Sequence, residues 1–170
     1  MDAQTGSQTG SKTRARSVLQ EITTHSAEET IAFGRTLAAL LAAPKLVLLR
    51  GDLGAGKTTL VKGIAEGFKA ARADDVTSPT FTLVHEYRGP HATLYHIDLY
   101  RVDTQRDLET LGLDDLLAPN GILLIEWGEK FLRLQRDRNV EITLEQVGET
   151  ERRIQVTRSL PHSIIPHPIQ

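Results

Sequence analysis

Runs of hydrophobic and polar residues predict strands interleaved with helices. Continuous apolar runs, typical of strands buried on both faces, occur in KLVLLRG (45–51) and GILLIEW (121–127). Shorter or alternating runs predict further strands in SVLQEI (17–22), FTLVHEY (81–87), ATLYHIDLY (92–100), NVEITLEQ (139–146) and RRIQVTRS (152–159). The connections RGPH and VGETE should close the last four of these into two antiparallel hairpins.

Apolar residues recur with the helical period in three segments, which predict helices over 26–43, 57–68 and 106–117. At the start of the first helix, Ser26 is placed as the cap and Glu29 follows at the spacing of a capping box. Pro44 should end this helix. Strands that alternate with helices predict an α/β fold, and the hairpins predict that its sheet is mixed rather than purely parallel.

The length of 170 residues suits one domain with a single core. We predict that this domain spans 18–160. Residues 1–17 are rich in Thr, Ser, Gly and Gln with a few basic side chains, and nothing in them could be buried, so we predict a disordered basic tail. Residues 161–170 are predicted to form a short C-terminal extension.

Composition excludes several classes of function. A net charge of −2 provides no overall basic field of the kind that attracts nucleic acid or anionic membranes. The chain contains no cysteine, so disulfides and thiolate metal sites are excluded. No apolar run approaches the roughly 20 residues that span a bilayer, and residues 1–17 lack the apolar centre of a secretory signal. We therefore expect a cytoplasmic protein without a membrane partner.

The glycine-rich stretch RGDLGAGKTTLVKG (50–63) carries the strongest chemical signal. Gly51, Gly56, Lys57 and Thr58 match every fixed position of the P-loop pattern, between a predicted strand and a predicted helix. Glycines let backbone N–H groups approach phosphate oxygens, and the start of the helix adds further donors. Lys57 can reach the β- and γ-phosphates, and the Thr58 hydroxyl can ligate Mg²⁺. We therefore predict a P-loop NTPase-like sandwich with a mixed, mainly parallel sheet and antiparallel hairpins.

The ligand predicted for this loop is a nucleoside triphosphate with Mg²⁺. ATP is favoured over GTP because the chain lacks the Asn-Lys-x-Asp segment of guanine-specific P-loop proteins. Since the phosphate is absent from the unliganded protein, we expect that nothing else in the fold depends on the side chain of Lys57.

Two acids end predicted strands and are candidates for holding the magnesium ion with its waters. Glu126 follows four apolar residues in ILLIE, and Asp98 ends LYHID. Strand-end acids can also simply cap a following turn, so both roles stay open here. Neither acid is followed by a second one, which leaves the water-activating residue unassigned. His96 shares a strand face with Asp98 and is either a ligand or, as we prefer, a half-buried, hydrogen-bonded histidine.

The segment TSPTFT (77–82) is rich in hydroxyl groups. Pro79 restricts the backbone and leaves Ser78 and Thr80 presented from a loop. The segment is either the entry to a strand or a switch that touches the γ-phosphate or Mg²⁺.

Four stretches, GDLGAGKTT, SPTFTLVHEY, YHIDLYR and IEWGEK, together resemble the bacterial TsaE family (formerly YjeE). The likeness runs from residue 18 to residue 158. The resemblance implies a P-loop ATPase that binds ATP and Mg²⁺ and is required for threonylcarbamoyladenosine modification of tRNA. It also implies that the protein binds the TsaB–TsaD assembly and couples ATP hydrolysis to turnover of that complex, with tRNA involved only indirectly.

The resemblance implies roles for individual residues in the groove. Thr58 and Glu126 would ligate Mg²⁺, Thr80 would belong to a nucleotide-responsive switch, and Asp98 would be needed for hydrolysis together with Lys57. The residues that would wrap the phosphates are Gly54, Ala55, Gly56, Lys57, Thr58 and Thr59.

Two further positions follow from the same resemblance. The start of the first helix, near Ser26 and Ala27, would lie beside the nucleoside. Trp127 matches the tryptophan that follows the acid in the family. Because Trp127 ends the predicted strand 121–127, alternation should turn its ring to the opposite side from the carboxylate of Glu126.

Two other functions stay open from the residues alone. A small-molecule P-loop kinase would suit the size and the loop, with the arginines of RLQRDR (133–138) as a phosphate-clamping lid, although that segment is short. A nucleotide-sensing adaptor with negligible turnover would suit the missing second acid. The family resemblance instead favours a weak Mg²⁺-dependent ATPase that is stimulated by its partner proteins.

Overall fold

A single sheet of seven strands organises the described part of the chain. The computed structural model describes residues 16–43, 45–135 and 139–159. The strands are β1 (Arg16–Thr24), β2 (Lys45–Arg50), β3 (Val84–Arg88), β4 (Thr93–Asp98), β5 (Gly121–Glu126), β6 (Val140–Gln146) and β7 (Arg152–Ser159). Their order across the sheet is β1-β7-β6-β2-β5-β4-β3.

Helices and short 3₁₀ turns connect the strands. The helices are α1 (Ala27–Leu37), α2 (Lys57–Gly67), α3 (Gln105–Thr110) and α4 (Leu113–Leu116). The 3₁₀ turns are Ala73–Asp75, Gly128–Lys130 and Leu132–Leu134. Within the described ranges, no helix is both long enough and apolar enough to cross a membrane.

The strand pairing confirms the predicted mixed sheet and α/β class. The pairs β6–β2, β2–β5 and β5–β4 at the centre are parallel. The outer pairs β1–β7, β7–β6 and β4–β3 are antiparallel, and the last two of these are the predicted hairpins. Parallel pairing therefore prevails only at the centre. Because the central strands are parallel, β2, β4 and β5 all end at the same edge of the sheet.

The two central strands bury side chains on both faces of the sheet, as their apolar runs predict. Val47 and Leu49 of β2 face a core shared with α1 and α2. Leu46 and Leu48 face a second core, which includes side chains of α3, α4 and the turns after β5. Every residue of β5 is buried. These strands therefore form a rigid platform from which the loops at their carboxyl ends project.

A close helix–helix contact places the start of α1 near the loop that follows β2. At Gly63 of α2, a Cβ atom would lie only 2.0 Å from the carbonyl oxygen of Ile31 in α1. The glycine therefore permits the backbones of the two helices to approach each other. Ser26 caps α1 as predicted, since its side chain accepts a hydrogen bond from the backbone N–H of Glu29.

Two predicted boundaries near the amino terminus differ from the structure. β1 begins at Arg16, so Arg16 and Ser17 belong to the sheet and not to the tail predicted for 1–17. Residues 1–15, Pro44 and the predicted extension 161–170 lie outside the described residues. The helix predicted for 26–43 ends earlier, at Leu37.

Two further elements differ because of local backbone geometry. The strand predicted for 81–87 begins only at Val84, since the backbone N–H of Leu83 closes a turn onto the carbonyl of Pro79 at 2.7 Å. The helix predicted for 106–117 is divided into α3 and α4. Gly112 lies between them with φ of 60°, a left-handed conformation that interrupts a helix.

Candidate functional site

The loop between β2 and α2 has the backbone geometry of an anion site. Gly54 and Gly56 have φ angles of 80° and 102°, in the left-handed region that glycine favours. Gly51 must also be glycine, because a Cβ atom there would lie 2.7 Å from the carbonyl oxygen of Leu144. Among the residues that the structure describes, no side chain caps α2 at Gly56. The N–H groups of its first turn therefore stay available to a ligand, since they have no partners within the helix.

A groove of about 360 Å³ lies beside this loop and brings most of the predicted site residues together. Its lining includes Gly54, Ala55, Gly56, Lys57, Thr58 and Thr59 from the loop and α2. Across from them lie Ser78, Thr80, Asp98, Tyr100, Glu126 and Trp127. Gly51 does not line the groove, but its carbonyl oxygen accepts a hydrogen bond from Lys57. The groove therefore places backbone donors opposite two carboxylates.

The two carboxylates lie side by side at the ends of neighbouring parallel strands. Asp98 of β4 and Glu126 of β5 are register partners, and each is only 4% exposed. The hydroxyl of Thr58 lies 3.3 Å from Oε1 of Glu126. A hydroxyl and a carboxylate that share a groove edge are the hard oxygen ligands that Mg²⁺ prefers. Thr58 and Glu126 could therefore hold such an ion.

The turn 79–83 places its hydroxyl groups against Asp98. The hydroxyl of Thr80 donates to Oδ2 of Asp98 at 3.1 Å and lies 2.8 Å from the hydroxyl of Ser78. The backbone N–H of Tyr100 donates to Oδ1 of Asp98 at 2.9 Å. The segment 77–82 leads through this turn into β3, and its Thr80 contacts a groove carboxylate. The choice between a strand entry and a switch stays a prediction.

His96 differs from the sequence expectation of a half-buried, hydrogen-bonded side chain. It is fully buried, and its Nε2 lies 3.3 Å from Oε1 of Glu126. The contact is close but not aligned as a hydrogen bond, and neither ring nitrogen has a hydrogen-bond partner among the described residues. The same residues contain no group of three or more His, Asp or Glu side chains that could hold a metal ion.

Lys57 is held within the protein by several contacts. Its ammonium group donates hydrogen bonds to the carbonyl oxygens of Gly51 and, at 3.3 Å, Asp52. It also lies 4.4 Å from the ring centroid of Trp127, within the range of a cation–π interaction. These contacts weigh against the expectation that nothing else depends on this lysine, because its side chain also contacts the loop backbone.

The ring of Trp127 lines the groove together with Glu126 and does not turn to the opposite side. β5 ends at Glu126, and Trp127 has φ of 64°. Strand alternation no longer applies in this left-handed conformation, which is uncommon for a residue with a bulky side chain. The indole also lies 5.2 Å from the ring of Tyr100.

A second cavity, of about 370 Å³, lies on the other side of the loop. The start of α1 contributes Ser26, Ala27, Glu28 and Thr30. The loop and α2 contribute Gly54, Gly56 and Thr59, the turn between β6 and β7 contributes Glu149 and Thr150, and β7 contributes its first residue, Arg152. Ala27 therefore lies in a cavity next to the loop, where the resemblance implies a nucleoside.

Sequence reasoning missed two residues that contact the site. Tyr100 lies within the quoted stretch YHIDLYR, but nothing in the stretch indicates that its backbone would hold Asp98. Arg152 donates hydrogen bonds to the carbonyls of Gly54 and Ala55. It is almost a hundred residues away along the chain, and no local pattern marks it.

Comparisons with known proteins agree with one another. The family model "Threonylcarbamoyl adenosine biosynthesis protein TsaE" matches residues 24–154. The tRNA threonylcarbamoyladenosine biosynthesis protein TsaE of Bacillus subtilis is 39% identical over 130 residues, which cover 76% of this chain and 80% of that protein. The protein of the same name from Aquifex aeolicus is 39% identical over 143 residues, 83% of this chain and 98% of its own length. The crystal structure of Bacillus subtilis YdiB matches with a TM-score of 0.67 at 33% identity, covering 88% of this chain and 89% of the YdiB chain.

Proposed function

Because this chain belongs to the TsaE family of threonylcarbamoyl adenosine biosynthesis proteins, we propose that it hydrolyses ATP as an accessory protein of tRNA threonylcarbamoyladenosine modification at adenosine-37. Its activity would be weak, dependent on Mg²⁺ and stimulated by partner proteins. The observation that carries the proposal is the groove in which the P-loop faces Glu126 and Asp98. This arrangement supports binding of a phosphate chain on one wall and metal chemistry on the other.

The loop wall would bind the phosphates. The backbone N–H groups at the start of α2 and the positive end of its dipole favour an anion at this position. Lys57 would exchange its contacts with the carbonyls of Gly51 and Asp52 for phosphate oxygens, since its ammonium group already lies at the loop. The residues assigned to phosphate binding are Gly51, Gly54, Ala55, Gly56, Lys57, Thr58 and Thr59, of which Gly51 lies outside the groove and contacts Lys57.

The metal would be held by Thr58 and Glu126. Their oxygen atoms lie 3.3 Å apart at the groove edge, and this donor set fits a hard cation. When bound, Mg²⁺ supplies positive charge that neutralises the phosphate oxygens. Few protein ligands are needed, because Mg²⁺ usually keeps several waters in its coordination shell.

Asp98 and Thr80 are assigned to hydrolysis. Two hydrogen bonds hold the carboxylate of Asp98 in one position, and one of them comes from Thr80. A ligand that reaches Thr80 would disturb this hydrogen bond, which supports a switch role for the turn 79–83. The cavity that contains Ala27 would accept the nucleoside, because it adjoins the loop at Gly54 and Gly56.

We assign the partners from the family. TsaB and TsaD homologues would bind this protein in the cytoplasm, and ATP hydrolysis here would be coupled to turnover of their complex, with tRNA contacted only indirectly. A stimulated enzyme is consistent with the sequence, in which neither Asp98 nor Glu126 is directly followed by a second acid. The resting site would then need partners to hydrolyse ATP efficiently.

A small-molecule kinase is less well supported. Its proposed lid depends on the arginines of 133–138, of which 136–138 lie outside the described residues. Arg133 forms ion pairs with Asp114 at 2.7 Å and Glu109 at 3.8 Å. It lines a different cavity, together with Leu46 near the start of β2. This position is at the opposite end of β2 from the P-loop.

The proposal is tested by measuring phosphate release from Mg²⁺–ATP by the purified chain, alone and with purified TsaB and TsaD homologues. We expect slow release by the chain alone and faster release with both partners. Calorimetry with Mg²⁺–ATP and with Mg²⁺–GTP separates binding from turnover. Nucleotide binding without phosphate release under either condition would instead indicate an adaptor. A phosphorylated metabolite from a cell extract would indicate a kinase.

A further inference from the structure

Arg152, the first residue of β7, lies against the P-loop and lines the cavity that contains Ala27. Its Nε donates to the carbonyl oxygen of Ala55 at 3.0 Å, and its Nη2 donates to that of Gly54 at 3.2 Å. Its Nη1 donates to the carbonyl oxygens of Glu151 at 3.0 Å and Glu149 at 3.4 Å. All three guanidinium nitrogens are therefore engaged with backbone carbonyls, two of them in the loop.

These contacts fix the orientation of two successive peptide planes. In a trans peptide, the C=O and the following N–H point in opposite directions. With the carbonyl of Gly54 turned toward Arg152, the N–H of Ala55 turns away and donates to the carbonyl of Asp52 at 3.0 Å. With the carbonyl of Ala55 turned toward Arg152, the N–H of Gly56 must also point away from Arg152. Gly56 lines the groove assigned to the phosphates.

We propose that Arg152 is a positioning residue for nucleotide binding, which holds the Gly54–Ala55 and Ala55–Gly56 peptides so that the Ala55 N–H stays on the carbonyl of Asp52 and the Gly56 N–H is presented to phosphate. The inference rests on the proposed function of the groove. The loop needs such support because its glycines at φ of 80° and 102° have many alternative backbone conformations. A guanidinium suits the task, since its rigid fork can bind two neighbouring carbonyls at once.

The next residue provides a matched control. Arg153 lies on the same strand, but its Nη1 pairs with Glu145 at 3.3 Å and its side chain is 52% exposed. Arg153→Gln therefore removes the same charge from the same hairpin without touching the loop. Arg152→Gln removes the fork, and Arg152→Lys keeps the charge but replaces the fork with a single ammonium group.

The experiment compares wild type with these three variants in two measurements. The first records the amide resonances of Ala55 and Gly56 by nuclear magnetic resonance in the unliganded protein. The second measures the affinity for Mg²⁺–ATP by calorimetry. In both Arg152 variants we expect shifted or broadened Ala55 and Gly56 amides and an affinity lower by about tenfold, the loss of one charge-assisted hydrogen bond. Arg153→Gln should match wild type in both.

Several results would overturn the proposal. Weaker binding with unchanged Ala55 and Gly56 amides would mean that Arg152 contacts the nucleotide directly. If Arg152→Lys bound Mg²⁺–ATP as tightly as wild type, the positive charge would account for the effect of Arg152 on affinity and the guanidinium fork would not be needed. If wild type does not bind Mg²⁺–ATP, the proposed function fails, and the amide resonances alone then test whether Arg152 positions the loop. Unchanged Ala55 and Gly56 amide resonances in the Arg152 variants would show that it does not. If Arg152→Gln does not fold, Arg152→Lys supplies the same two measurements.

Discussion

The groove has two walls that differ in how they are assembled. The loop wall is one short segment, 51–59, whose donors are mostly backbone N–H groups and one ammonium group. The opposite wall combines the end of β4, the end of β5 and the turn 79–83, and it presents carboxylates and hydroxyls. The backbone N–H groups of the loop wall cannot be removed by changing single side chains, whereas the acidic wall depends on each side chain. Substitutions should therefore separate nucleotide affinity from turnover.

Within the acidic wall, the two carboxylates are held differently. Asp98 accepts hydrogen bonds on both oxygens, from the Tyr100 N–H and the Thr80 hydroxyl. Glu126 has a longer contact of 3.3 Å, with Thr58, and a close but unaligned contact with His96. Asp98, which is already engaged on both oxygens, is suited to orienting another group. Glu126, which has a freer oxygen, is suited to binding a metal ion.

The largest effect is expected from neutralising these acids one at a time. Asp98→Asn and Glu126→Gln should each lower ATP hydrolysis by about 100-fold, a typical loss for one electrostatic group of a catalytic site. Nucleotide affinity should change much less, because the loop wall holds the phosphates. Phosphate release in the presence of partner proteins, together with calorimetry, measures both quantities.

A magnesium titration then distinguishes the two acids. Glu126→Gln should need a higher Mg²⁺ concentration for nucleotide binding, while Asp98→Asn should keep the wild-type requirement. Asn and Gln preserve the size of the side chains that they replace. A melting temperature equal to that of wild type would therefore show that the fold of each variant is intact. Equal Mg²⁺ requirements in both variants would contradict the assignment of the metal to Glu126.

A smaller effect is expected on the loop wall from Lys57→Ala. Charge-assisted hydrogen bonds contribute about 1.5–3 kcal/mol, so affinity for Mg²⁺–ATP should fall about 10- to 100-fold. Because Lys57 also binds the carbonyls of Gly51 and Asp52, a modest loss of thermal stability should accompany it. Calorimetry and thermal unfolding measure the two effects. Lys62→Ala, on the same helix but bonded to the carbonyls of Ala73 and Val76, is the control.

The loop wall was predictable from the sequence because its signal is local. Gly51, Gly56, Lys57 and Thr58 lie within one short stretch between two patterned elements. The strand-end positions of Asp98 and Glu126 followed from apolar runs that end in an acid. Their placement beside each other additionally requires the parallel β4–β5 pairing, which comes from the whole sheet.

The remaining site features depend on backbone conformations or distant contacts that no local pattern encodes. The contact between Thr80 and Asp98 requires the turn that ends at Leu83, whose φ of 68° is uncommon for a residue with a branched side chain. Arg152 reaches the loop only because the β6–β7 hairpin lies beside it. Sequence reasoning therefore found the strand ends and Thr80, but not the contacts that fix Asp98 and the loop.

The smallest effect, and the one that links the two walls, concerns Trp127. The ammonium group of Lys57 lies 4.4 Å from its ring centroid, so a cation of the loop wall rests on an aromatic ring of the acidic wall. Such contacts contribute about 0.5–2 kcal/mol. If phosphate draws Lys57 away, the environment of the indole changes. Because the chain has one tryptophan, its emission reports on this site alone.

We therefore expect the intrinsic fluorescence to change on titration with Mg²⁺–ATP or Mg²⁺–ADP, and to saturate together with binding measured by calorimetry. Lys57→Ala should shift the emission of the unliganded protein and abolish most of the response, even at nucleotide concentrations that restore occupancy. Arg153→Gln, remote from the ring, should respond as wild type does. A flat spectrum at saturated binding would show that Lys57 stays on the indole. The lysine would then serve to hold the two walls together, and the phosphates would be bound by backbone N–H groups alone.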